Sequence, residues 1–156
     1  MIAESTFAVR SGVADGALVA AVLAADSGGA EVGVYWGEPG PAFPREFVCI
    51  MGAQVDVAAA TMGTTRTRDE TIRTQINIVA NRQGTDAQQQ SAARAYTLLA
   101  ALETRLRTDD PTLGGACWQC LVTRIEESGG TPPGDRAAGR YTEIIAELTA
   151  RVRITN

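Results

Sequence analysis

Two stretches of this chain alternate almost without fault. From Thr71 to Asn81, Ile72, Thr74, Ile76, Ile78 and Ala80 fall on one side, and Arg73, Gln75, Asn77, Val79 and Asn81 on the other. From Arg140 to Thr155, Thr142, Ile144, Ala146, Leu148, Ala150, Val152 and Ile154 alternate with Tyr141, Glu143, Ile145, Glu147, Thr149, Arg151 and Arg153. Strand side chains leave on opposite faces with a period of two. Each stretch therefore predicts a strand with one face in the core and the other against water or another subunit. Tyr141, Ile145, Leu148 and Val152 also satisfy helical spacing, but the alternation and the β-branched end favour a strand.

Two other segments step by three and four. In Gly12–Ala25, Val13, Ala17, Ala20, Ala21 and Ala24 recur with Leu18 and Val22 alongside. Ser11 is a candidate N-cap, and Gly28–Gly29 lies beyond the end. So broad a surface of small side chains suits a helix pressed on a sheet. Asp86–Arg107 carries a stripe of Ala92, Ala95, Tyr96, Leu99, Leu102 and Leu106, with Thr85 or Asp86 as cap. Arg105 and Arg107 complement its dipole, and Pro111 with Gly114–Gly115 enforces a turn.

Shorter strands complete the pattern. Glu31–Trp36 sets Val32, Val34 and Trp36 on one face; Glu46–Ala60 has Gly52 as a candidate bulge; Ala116–Glu126 contains Cys117-Trp-Gln-Cys120. Gly37–Glu46, Ala60–Glu70 and Ser128–Gly139 are rich in Pro, Gly or Thr and predict loops. The order is αβββαββ with hairpin-length connections. It predicts an α+β domain spanning 1–156, a single mixed, mainly antiparallel sheet with two helices packed on one face.

A chain of 156 residues suits one such domain, and 45% apolar with 21% charged residues is a globular composition. Aromatic residues are only 5%, so the core is expected to be built from Ala, Val, Ile and Leu. The net charge of −4 argues against phosphate-directed nucleic-acid binding, which needs a concentrated basic face. No secretory signal is legible at the N-terminus, and no apolar run approaches the roughly 20 residues of a membrane span. Three cysteines in a chain this long point to a reducing cytoplasm.

Candidate chemistry is sparse. All 14 basic residues are Arg, and His and Lys are absent. That removes the commonest general base and metal ligand, the serine–histidine triad, and the lysine of a phosphate loop. Cys117 and Cys120 have redox or zinc spacing. Within a strand, however, their side chains would point to opposite faces, and Cys49 alone cannot complete a zinc site. Asp109–Asp110 and Glu126–Glu127 read as solvated element ends. No catalytic, cofactor or metal site is expected, and the protein is read as not an enzyme.

The order of pieces resembles the tail terminator proteins of long-tailed bacteriophages, the family of the lambda tail terminator, in the form found in actinobacterial phages. Val34-Tyr-Trp-Gly-Glu-Pro-Gly40 is followed by Pro44-Arg-Glu-Phe-Val48. Gly63–Arg68 leads through Asp69-Glu-Thr71 into the strand Ile72–Ala80. The Ala-rich helix ends in Asp110-Pro-Thr-Leu-Gly-Gly115, and an Arg/Ile/Val strand closes the chain. The resemblance covers about Val13 to Ile154; Ser128–Gly139 has no counterpart in it. It implies a non-enzymatic virion protein, made in the host cytoplasm and located at the neck-proximal end of the tail. Its partners would be itself, as a homo-hexameric ring, together with the tail tube protein and the head–neck connector. DNA would pass through the channel without specific binding, and no membrane is involved. Other readings are another phage neck or tail-completion protein, a small ligand-binding α/β domain, or a thiol-based one.

Exposed aromatic and Arg residues are common interface anchors. The candidates are Trp36, Phe43, Arg45, Arg66 and Arg68 on the two long loops, and Tyr141, Arg151 and Arg153 on the last strand.

Overall fold

The structure, a computed structural model, describes residues 2–25, 32–40, 44–58, 67–131 and 139–155. Helix α1 (Ile2–Ala25) is followed by strands β1 (Val32–Trp36), β2 (Glu46–Ala58) and β3 (Thr67–Arg82). Helix α2 (Ala87–Thr104) runs on through a π-helical turn, Arg105–Asp109, before β4 (Gln119–Gly130) and β5 (Arg140–Thr155). The five strands form one sheet in the order β1-β2-β3-β5-β4. All pairs are antiparallel except β1 with β2. The fold is α+β, as the pattern predicts.

The parallel β1–β2 pair departs from the hairpin expectation. β1 is only five residues long and lies beside Glu46–Ile50. The returning chain must cover about 13 Å, four residues of strand, and the segment 37–45 has ample reach for that. A short first strand thus escapes the usual need for a crossover helix.

Helix α1 begins ten residues earlier than the sequence reading placed it. Ser11 is no cap; its backbone is helical (φ −64°, ψ −44°), and its hydroxyl donates forward to Asp15 at 2.7 Å. Gly12–Leu18 forms a π-helical turn inside the helix. The resulting 24-residue helix, with a mean hydropathy of 1.6 in its most apolar stretch, is long and apolar enough to cross a membrane. That corrects the expectation that no such run exists. Here Val9, Val13, Ala14, Ala17, Leu18, Ala21, Val22 and Ala25 are buried in the core. Leu113, at the turn after α2, closes directly over Gly12: a methyl group there would sit 2.8 Å from Leu113 Cβ.

Helix α2 buries Ala87, Ser91, Ala95, Leu98, Leu99, Leu102 and Leu106. Tyr96, placed in the stripe by spacing, is 44% exposed and donates to Glu127 at 2.8 Å. Beneath the helices lie Val48, Ile50, Ile72, Ile76, Ile78, Ile144, Ala146 and Leu148. The β2–β3 register shifts between Ile50 and Ala53, so Gly52 sits in an irregularity as expected. Other limits move: β3 starts at Thr67 and β4 continues to Gly130, so the ends of two expected loops are strand.

Two carboxylates lie inside. Glu46, 2% exposed, accepts from Arg94 Nε at 2.9 Å and pairs with Arg82. Glu70, 1% exposed, accepts from Ser5 at 2.6 Å and from Arg68 Nε at 2.7 Å. These pairs tie α1 to β3 and α2 to β2. Buried carboxylates persist because they are hydrogen-bonded and paired.

Candidate interaction surfaces

Both helices pack on one face of the sheet. The other face carries the second set of alternating side chains: Arg73, Gln75 and Asn77 on β3, Glu143, Ile145 and Glu147 on β5. Much of its charge is internally paired. Asp56 binds Arg73 and Glu126 binds Arg124. Asn77 donates to Glu143 at 3.1 Å and accepts from Gln75 at 2.9 Å. A shallow depression of about 390 Å³ opens among Gln54, Arg73, Gln75, Arg124, Glu126 and Glu147. Its lining alternates acid, base and amide, with no pair of acids set apart from bases as general acid–base work requires.

At one end of this face, Trp118 is 57% exposed beneath the Arg153 guanidinium, which lies 4.2 Å from the ring centroid. Arg153 also holds Asp69 through two hydrogen bonds, 2.7 Å from Nε and 3.1 Å from Nη2. Those bonds keep the Asp69 carboxyl below its ordinary range and the guanidinium above its own. Arg151 and Thr71 line a second depression together with Trp118, Asp69 and Arg153.

A second aromatic cluster lies on the helix side, at the far edge. Trp36 stacks on Phe7 with ring centroids 6.0 Å apart, and the Arg10 guanidinium lies 5.0 Å from the Trp36 ring. The indole N–H donates to Asp15 at 3.2 Å. Trp36 is 44% and Phe7 65% exposed, so this is a covered edge rather than core.

No known protein family matches the chain, and no curated protein is similar to it. Among solved structures, one similar chain belongs to the virion of a native gene transfer agent particle. It matches with a TM-score of 0.41 at 19% identity, over 85% of each chain.

The sequence-derived anchors separate. Arg151, Arg153 and the missed Trp118 come together, and Trp36 joins Phe7 and Arg10. Arg45 is exposed, with its carbonyl accepting from Asn81 N at 3.0 Å. Arg68 faces inward to Glu70, and Tyr141 is half-buried opposite Asn81 and Gly130. Phe43 and Arg66 lie outside the described residues. The alternating pattern places Trp118 inside a strand, where nothing marks it as exposed. It precedes β4, after the Gly114–Gly115 turn, and its backbone N–H donates to Arg151 O at 2.8 Å.

The thiols require a correction too. Cys117 lies in that turn, not in the strand, and both it and Cys120 are buried. They do not point to opposite faces of one strand. Cys117 Sγ donates to Thr112 O at 3.4 Å. Burial pushes the Cys117 thiol up to about 11 and the Cys120 thiol up to about 12. Neither forms a thiolate near neutrality, which a redox pair needs. Among the described residues no three His, Cys, Asp or Glu side chains gather as a metal site.

Proposed function

We propose that the protein is a structural virion component of the tail-terminator kind. In this reading a hexameric ring caps the finished tail tube, stops its polymerisation and joins the tail to the head–neck connector. The reading starts from the sequence resemblance. The observation that supports it most is the one-sided sheet, with helices on one face and an uncovered, charge-paired ladder on the other. A domain that acts on small molecules gathers polar groups into an enclosed pocket. Here the polar groups are spread over an open face, and the thiols that a redox enzyme would use are buried and protonated. Surfaces of this kind suit repeated protein contacts, where paired charges give register and orientation.

The test is the length of tails in particles whose gene for this protein is deleted. Overlong tubes, restored to normal length by the supplied protein, are expected. Tubes of normal length that fail to join heads would replace the terminator reading with that of a neck or tail-completion protein. Normal, infectious particles would remove both.

A further inference from the structure

We infer that copies of this chain join through the two outermost strands of the sheet. The free edge of β1 in one copy pairs antiparallel with residues 125–129 of β4 in the next. Closure of such a row of copies rests on the ring reading above; the pairing itself does not.

Both edges have open backbone. β1 ends the sheet on one side and β4 on the other. Among the described residues, none pairs with the outer side of β1. On the outer side of β4, Cys120 N donates to Pro111 O at 2.9 Å, and beyond it no described residue pairs. Unpaired strand edges are templates for another strand, and charges, proline or a bulge ordinarily blunt them. β1, Val-Gly-Val-Tyr-Trp, has none of these. Residues 123–129 of β4 are exposed at every position, on both faces.

The two edges stand level. Trp36 pairs with Ile50, Ile50 with Ile76, Ile76 with Ala146, and Ala146 with Ile125, one row across the whole sheet. By the same registers Val34 is level with Glu127, and Val32 with Gly129. Polarity fits as well. β1 is parallel to β2, whereas β4 runs opposite to β2. Rotation about an axis along the strands keeps height and direction. It therefore sets Trp36 of one copy against Ile125 of the next, antiparallel, with helices on the same face.

The backbone groups agree. In a strand, one residue's N–H and C=O point to the same side, and alternate residues point to opposite sides. Gly37 N turns towards β2, donating to Ile50 O at 2.8 Å, so Val32, Val34 and Trp36 turn their N–H and C=O outward. On β4, Cys120 has its side chain in the core and its N–H outward. Ile125 and Glu127 lie on that same face, opposite the core residues Ala146 and Ile144, and turn outward too. Each opposed pair then exchanges two hydrogen bonds.

The side chains match on the helix side. At the β1 edge Trp36 and Phe7 form an exposed stack. At the β4 edge Ile125 is 43% exposed, and the exposed Tyr96 reaches the same strand through Glu127. Aromatic and β-branched side chains opposed across strands stabilise a pairing. A two-fold β1–β1 or β4–β4 pairing would leave the other edge bare. The head-to-tail arrangement covers both edges in every copy, and a heterologous contact closes a ring when its rotation permits.

The experiment replaces Ile125, and separately Trp36, with a photoreactive benzoylphenylalanine in the full-length protein. Each preparation is irradiated at high concentration and the intermolecular cross-links are mapped, with native mass measured in parallel. Expected are links from position 125 to residues 32–36 or Phe7, and from position 36 to residues 123–129. Links between two copies of position 125 or of position 36, links to other surfaces, or no intermolecular links overturn the edge pairing. A ring mass without the β1–β4 links defeats this inference and leaves the ring reading standing. Those links in open chains, with no closed mass, uphold the pairing and defeat the ring. Glu127→Pro removes an outward N–H and no bond within the sheet. It should keep the wild-type circular dichroism and lose the higher mass, while Glu127→Gln retains it. A folded proline variant that assembles like the wild type overturns the pairing; if that variant unfolds, the cross-links decide.

Discussion

Arg153 covers the exposed ring of Trp118, its guanidinium 4.2 Å from the centroid, while holding Asp69 by two hydrogen bonds. The indole therefore reports on the ion pair. Asp69 has its pKa lowered chiefly by the Arg153 hydrogen bond. A depressed carboxyl contributes above its unfolded pKa, and that contribution is lost as pH falls through the folded value. In a Trp36→Phe background, Trp118 fluorescence should stay constant through mildly acidic pH. It should change below the ordinary aspartate range near 3.8. Asp69→Asn should abolish that step. A midpoint above the ordinary aspartate value would contradict the pairing.

Charge reversal at Arg151 and Arg153 separates assembly from folding. Both side chains are exposed on the uncovered face, and solvated ion pairs contribute little to stability. Arg151→Glu with Arg153→Glu should give a soluble protein with native circular dichroism that fails to terminate tails. Unfolding of the double variant, or tails of normal length, would move the contact elsewhere. β5 lies between β3 and β4, so its backbone edges are already paired and only its outward side chains are available.

Alternation made the centre of the sheet legible. β3 and β5 have one face under two helices and one uncovered, so period two is written in them directly. The candidate surface was less legible. Ser11-Gly12 carries the signature of a helix start, yet α1 passes through it. The glycine serves the approach of Leu113, a contact between residues far apart in sequence. Trp118 and Asp69 become neighbours only through the β3–β5–β4 register, which no local pattern contains. Arg68 reads as a surface anchor because nothing nearby in sequence marks Glu70 as buried.

The two glycines of the α1 π-turn should respond oppositely to alanine. Within a helix, Gly→Ala ordinarily stabilises by about 1 kcal/mol. At Gly16 a methyl meets nothing within 4 Å, so Gly16→Ala should raise the denaturation midpoint. At Gly12 it meets Leu113 Cβ at 2.8 Å and Leu113 O at 3.2 Å, and Leu113 is itself held at φ 51°. Gly12→Ala should lower the midpoint, with overpacking of about 1–3 kcal/mol exceeding the helical gain. Equal shifts in the same direction would refute the contact.

Removing Arg94 should be costly. Its guanidinium donates to buried Glu46 at 2.9 Å and to Ala25 O at 2.7 Å, joining α2 to β2 and to the end of α1. Arg94→Met keeps the aliphatic bulk and leaves the carboxylate with Arg82. Breaking a buried pair from one side costs about 3–5 kcal/mol, and the remaining partner favours the lower figure. Urea unfolding measures it. A loss below about 1 kcal/mol would mean that Glu46 is solvated or otherwise paired.

The buried thiols give the last prediction, and its sign follows from linkage. Cys117 and Cys120 have their pKa raised by burial from about 9 to about 11 and about 12. In the unfolded chain they ionise near the ordinary value, while the folded protein keeps both protons. Their contribution is therefore complete below about pH 9 and is lost as pH rises through the folded values. Stability should fall across that alkaline window, and the slope should flatten in a Cys117→Ala, Cys120→Ala variant. At neutral pH the double variant should lose at most a few kcal/mol, since small buried groups are deleted. The native protein should resist thiol reagents until it unfolds. Tails should finish normally with the variant, because neither thiol reaches the surface. Rapid modification of the folded protein, or overlong tails from a folded double variant, would give these cysteines a role beyond packing.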